Sequence, residues 1–189
     1  TRSVAVTGVQ TCALPILPDV KGYAWFTFDQ VNWYRSQSAA YTERNGGKPL
    51  PALAFFHIPL PEYNQAAADE SAILIGTRME KACAPLLNTG MFAAMKEAGD
   101  VMGTFVGHDH DNDYSVMWHG ILLAYGRFTG GNTEYNHLPN GARVILMKEN
   151  ARTFTTWIRT KGGEIVDKTV YPDSYRKDDW RKRPPVGEK

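Results

Sequence analysis

The sequence predicts a layered α/β fold whose last third is all strands, and three observations carry that reading. Up to about residue 113, extended apolar runs alternate with stretches of helical spacing. Beyond that point short β-type runs follow one another with Gly-rich turns between them. Two of the apolar runs also end in histidine, as expected of an open α/β sheet whose strand ends carry a site.

The elements follow in chain order. Residues 23–28, YAWFTF, are aromatic and extended, which predicts a strand. DQVNWYRSQSAAYTERNGG predicts a helix capped by Asp29, with Val31, Tyr34, Ala40 and Tyr41 at roughly helical spacing and a stop at Gly46-Gly47. PALAFFHIPLPEY predicts a short strand that delivers His57 and is then broken by Pro59 and Pro61. TGMFAAMKEAGD predicts a second helix, capped by Thr89 and stopped at Gly99. VMGTFV, residues 101–106, predicts a strand lying beside residues 52–56, with both ending at one rim. WHGILLAYGRFT, GARVILMKEN, RTFTTWIRTK and GEIVDKTVYP predict the closing strands, with NGA and KGGE as turns between neighbours.

The chain has 189 residues, of which 43% are hydrophobic and 12% aromatic, enough for one core. Its net charge of +1 gives no electrostatic case for nucleic acid or an anionic membrane. No apolar run reaches the roughly 18 residues of a membrane span. Within residues 1–16, VTGVQTCALPI resembles the translation of a sequencing-library adapter and is set apart from the fold. That leaves residues 17–172 as the folded unit and 173–189 as a solvated, mixed-charge tail. It also sets aside Cys12, so Cys83 stands alone as a small apolar filler and no intrachain disulfide is expected. The compartment stays open, export included.

The chemistry is concentrated in GHDHDND, residues 107–113. In an extended segment His108 and His110 share a face, with Cα atoms about 6.5–7 Å apart, and Asp109 points away. Two imidazoles so spaced suit two neighbouring ions of zinc, iron, nickel or manganese type. Gly107 lets the backbone pass close to a site without a Cβ in the way. DHDND also resembles the start of a calcium loop, but the sixth and twelfth positions are Tyr114 and Gly120 where glycine and an acid are wanted. His119 and His137 follow no such pattern and read as surface or strand residues. No Gly-rich phosphate loop, nucleophile elbow or CxxC pair occurs.

VMGTFVGHDHDND, preceded by AFFHIPLPEY, resembles the calcineurin-like metallophosphoesterases, and within them the group near the purple acid phosphatases. The resemblance extends over about residues 23–157 and includes FDQVNWYRSQS, similar to a Trp-containing helix that precedes the histidine strand. It implies that the chain is the C-terminal half of a two-sheet α/β sandwich built round two metal ions of Fe, Mn or Zn type. His57 and His108 then look like ligands of one ion and His110 like a ligand of the other, with Asn112 and Asp113 as candidates to line the substrate pocket. The implied reaction is hydrolysis of a small phosphate ester: a monoester, a cyclic nucleotide or another diester.

The family pattern also has an Asp-x-His pair, a bridging Asp and an Asn-His-Asp/Glu segment, and residues 17–56 contain none of them. The bridging carboxylate and the proton donor are therefore expected outside this chain, which is expected to be inactive by itself. Two readings stand beside this one: a non-catalytic metal-binding module, and a β-rich interaction domain whose histidines are incidental.

Overall fold

The computed structural model describes residues 19–131, 137–149 and 151–177. The adapter-like stretch and residues 178–189 lie outside them. The elements run α1 (Phe28–Arg44), β1 (Ala52–Phe55), α2 (Glu62–Ala68), β2 (Leu74–Ile75), α3 (Met91–Ala98), β3 (Val101–Val106), β4 (Ser115–Trp118), β5 (Ile121–Tyr125), β6 (Gly141–Met147), β7 (Phe154–Thr160) and β8 (Ile165–Tyr171), then a 3-10 helix, Asp173–Tyr175.

The strands form two sheets, one of five in the order β1-β3-β5-β4-β2 and one of three in the order β6-β7-β8. The first is mixed: β1, β3 and β5 run parallel, and β4 and β2 run antiparallel to their neighbours. The alternation of β5 explains the layering. Ile121, Leu123 and Tyr125 face a core made with Val31 of α1, Tyr63 and Ala66 of α2, and Phe92 and Met95 of α3. Leu122 and Ala124 face a second core made with Phe154, Tyr171 and Tyr175. Successive side chains of a strand point to opposite faces, so one apolar run serves both layers. The result is helices on one face of the mixed sheet and the three-stranded sheet on the other.

The expected neighbours are found: β1 pairs with β3, with Phe55 opposite Phe105. Other details differ. Residues 23–27 form no strand; the rings of Tyr23 and Phe26 pack against the histidine loops. Helix α1 begins one residue before Asp29, with Thr27 as the cap and the Gln30 side chain accepting from the Thr27 N–H at 2.8 Å. Helix α3 is preceded by Gly90, and the Thr89 hydroxyl donates to the Phe26 carbonyl rather than capping. The prolines that read as breakers in PLPEY instead launch a helix, since Pro61 sits at its N-cap, where a missing N–H is harmless. WHGILL contains a turn, with His119 and Gly120 both at positive φ between β4 and β5. KGGE does join β7 to β8, with Gly163 at φ +89°. NGA opens β6 instead, because the preceding strand belongs to the other sheet. Tyr175 is buried and shares a hydrogen bond with the Ser115 hydroxyl at 2.6 Å, so the ordered unit runs past residue 172.

Gly141 pairs with Thr160 where β6 meets β7. A Cβ there would lie 2.6 Å from the Arg159 carbonyl oxygen and 3.0 Å from the Thr160 Cα. Both obstacles are backbone, so the strands would have to separate. Gly141→Ala is expected to destabilise the chain by about 1–3 kcal/mol in urea unfolding. Gly162→Ala, whose Cβ meets nothing nearer than 3.9 Å, should be close to neutral.

Candidate metal centre

Parallel pairing carries β1 and β3 to a common edge, where the ladder continues one step into the loops. The Gly107 N–H donates to the His57 carbonyl at 3.1 Å. A Cβ on Gly107 would sit 3.4 Å from His57 Nδ1, so glycine leaves the room that the imidazole uses. The next residue, His108, has φ +76°, a region L-residues seldom enter. The chain therefore turns at His108, and the extended geometry expected for His108 and His110 is not what forms. The turn swings the His108 ring toward His57, leaving Nδ1 of His108 3.4 Å from Nε2 of His57, with ring planes at 85°.

That spacing can be tested against a metal ion. With metal–nitrogen bonds of about 2.0–2.1 Å and tetrahedral angles, two imidazoles on one ion place their nitrogens roughly 3.3–3.4 Å apart. The pair fits. Burial lowers the pKa of His108 and outweighs the opposing influence of Asp109, while His57 and His110 push it further down. A neutral ring with a free lone pair is the form that ligates. His110 packs on the Phe128 ring at 4.6 Å. Among the described residues the three histidines do not gather with all ligand atoms within 4.8 Å of one another; the group that does is Glu80, Cys83 and Asp109. That group fits a cation poorly. Both Asp109 oxygens accept from the Cys83 N–H at 3.1–3.2 Å, and one also takes the Tyr125 hydroxyl at 2.6 Å. Burial and the Asp109 carboxylate push the Cys83 thiol up to about 11.

The acidic residues of DHDND serve separate partners, which removes the calcium-loop alternative. Asp109 turns inward to Cys83 and Tyr125. Asp111 accepts the His137 N–H at 2.6 Å and pairs with its imidazole at 2.5 Å. Asp113 accepts the Thr77 N–H at 2.6 Å and forms an ion pair with Arg127, both side chains almost wholly buried. Asn112 is not a pocket residue: it is buried, its carbonyl accepts from the N–H groups of Met79 and Glu80 at 3.1 and 3.2 Å, and its amide donates to the Glu80 carbonyl at 3.1 Å. Its polar capacity is spent holding residues 78–80 against the loop. Cys83 is half-buried and free. His119 lies exposed in the β4–β5 turn, and His137 is exposed yet oriented by Asp111.

Residues the sequence did not single out complete the edge. Arg143 of β6 donates to the carbonyls of Tyr125 and Asp113, each at 2.5 Å, and so bolts the second sheet to the histidine loop. An open cleft of about 470 Å³ lies between the sheets, lined by Phe55, His57, Arg127, Arg143 and Ile145 among others, and it reaches the histidine edge. A buried arginine beside a polar strand end is the signal that would have marked Arg127 and Arg143, but single residues in β-type runs carry no such mark.

A mixed sheet with helices on one face, a second sheet on the other and paired histidines at the strand ends define a calcineurin-like metallophosphoesterase fold. The structure superposes on a dimetal phosphatase from Danio rerio with a TM-score of 0.50 at 14% identity, covering 78% of this chain and 38% of that one. No family model matches the chain. It is 33% identical over 151 residues to "Probable inactive purple acid phosphatase 29" of Arabidopsis thaliana, covering 75% of this chain and 38% of the relative. It is 37% identical over 114 residues to "Probable inactive purple acid phosphatase 14" of the same plant, covering 57% of this chain and 28% of the relative. "Phosphatase DCR2" of Saccharomyces cerevisiae is 34% identical over 161 residues, covering 77% of this chain and 27% of the relative. The chain thus spans between 27% and 38% of the length of these relatives. Over the part it spans, it belongs to the calcineurin-like metallophosphoesterases of purple acid phosphatase type.

The Asp111–His137 pair has a pH signature. Its hydrogen bond to Asp111 raises the His137 pKa above the ordinary 6.5. Burial would raise the Asp111 pKa, but the bonds from His137 outweigh it and the net shift is downward. A raised histidine contributes stability below its unfolded pKa and loses it as pH rises through the folded value. A lowered carboxylate contributes above its unfolded pKa and loses it as pH falls through the folded value. The pair is therefore strongest between the two titrations. In an NMR titration His137 should titrate above 6.5 and return toward that value in Asp111→Asn; a titration unchanged by the substitution would contradict the pairing.

Proposed function

We propose that the chain is the histidine-bearing part of a metal-dependent phosphoesterase that hydrolyses small phosphate mono- or diesters at a two-metal centre. In this reading His57 and His108 hold one ion and His110 holds the other, the ions being of Fe, Mn or Zn type. The observation that carries it is the 3.4 Å approach of ring nitrogens from two loops at the end of adjacent parallel strands. When bound, such an ion pair supplies Lewis-acid polarisation of the phosphate and a water activated for attack.

The chain's own residues do the holding. His57 comes from a strand end, His108 from a strained turn, and Asp109 with Tyr125 keeps that turn in place. Burial keeps the Tyr125 phenol far above its ordinary pKa, so it acts as a hydrogen-bond donor. In the family pattern the bridging carboxylate and the leaving-group acid belong to segments that residues 17–56 do not match. Metal binding without turnover by this chain alone is the expected behaviour. A second reading, metal binding with no catalysis even in the whole protein, is favoured by two relatives being named inactive.

Calorimetric titration with Zn²⁺ or Mn²⁺ tests the ligand set. His57→Ala and His108→Ala should each weaken binding by more than about tenfold, and His119→Ala should leave it unchanged. Equal affinity in all three variants would remove the proposed centre. With a chromogenic phosphate ester and added metal, the unaltered chain should show no hydrolysis above background.

A further inference from the structure

Residues 23–27 lack strand pairing, yet they are tied at both ends to the loops that carry the histidines. The Phe26 ring meets Phe56, the neighbour of His57, edge to face at 5.2 Å and 89°. The Phe26 carbonyl is fixed by the Thr89 hydroxyl, and Ala24 is buried. Three residues before Phe26, the Tyr23 ring meets His108 edge to face at 4.3 Å and 83°. The chain arrives there through Gly22 at φ +102°, where a Cβ would lie 4.0 Å from the Leu86 side chain. His108 thus touches two rings, Tyr23 and His57, each near perpendicular to it.

The backbone of His108 sits at φ +76°, a region that L-residues seldom enter. Tyr23 is 38% exposed, so its place on His108 is not imposed by burial in a core. Edge-to-face aromatic contact has a defined geometry and fixes the ring it touches. Resting on the proposed metal centre, we propose that Tyr23 is a positioning residue: the segment from Tyr23 to Phe26 straps the two histidine loops together, and the Tyr23 ring sets His108 at the angle needed to share an ion with His57.

The full chain titrated with Co²⁺ alone, followed by visible absorption, tests this. Tyr23→Phe keeps the ring contact and should bind within about twofold of the unaltered chain. Tyr23→Ala and Tyr23→Leu should bind about tenfold or more weakly, the range seen when a residue orienting a ligand is removed, and with an altered band. Leucine retains bulk, so it separates ring orientation from simple packing should the alanine variant fold poorly. In the metal-free chain, NMR should show the His108 ring protons losing their ring-current shift in Tyr23→Leu but not in Tyr23→Phe. If the unaltered chain binds cobalt through His57 and His108 and the leucine variant matches it, the positioning role is overturned while the metal centre stands. If the unaltered chain binds no cobalt, the centre and this role fall together.

Discussion

Parallel pairing of β1 with β3 is the constraint on which the site depends. The end of β1 carries a single histidine, and its partner ring comes from the loop after β3, 51 residues further along the chain. Pairing sets Phe55 opposite Phe105, the next ladder step joins Gly107 to His57, and the turn at His108 closes the remaining gap. A shift of register by one residue would reverse every side chain on a strand. It would also carry His57 away from the Gly107 gap. The two cores enforce the register, because β5 buries alternate residues against the helices and against the second sheet.

Around that pairing the polar residues of the loop act as pins. Asp109, Asp111, Asn112 and Asp113 each reach a different segment: residue 83 and β5, His137, residues 79–80, and Thr77 with Arg127. Buried carboxylates are costly unless every lone pair finds a donor. Here they find N–H groups, a phenol and a guanidinium. A loop of this composition would otherwise be mobile and solvated. Instead it is wired to four parts of the fold.

Much of this was legible in the sequence. The layered α/β class, the all-strand last third and the KGGE turn follow from apolar periodicity and Gly placement, which are local signals; the adjacency of the two histidine-bearing strands came from the expectation that strand ends share one rim. The errors also have physical causes. YAWFTF has strand composition, but the rings of Tyr23 and Phe26 pack on the histidine loops and the segment joins neither sheet. Thr89 and Asp29 have capping chemistry, yet neighbouring residues took the cap positions. Pro61 was read as a breaker when it begins a helix. At the site, strand-end position suggested that His57 and His108 could meet, and their rings do approach; their ligand roles came from the family resemblance. The assumption of extended backbone through 108–110 failed because a histidine at positive φ leaves no mark in composition. Asn112 and Tyr23 depended on tertiary contacts that no spacing rule contains.

The two facing imidazoles lie 51 residues apart along the chain. Closing so long a loop costs conformational entropy that no local element recovers, so the pair does not exist in the unfolded ensemble. Any cation shared by both rings therefore discriminates between folded and unfolded chains. Its binding free energy adds to the folding equilibrium by mass action. With such a cation bound, the resistance of the chain to heat would vary with free ion concentration, and chelation would act as a denaturant.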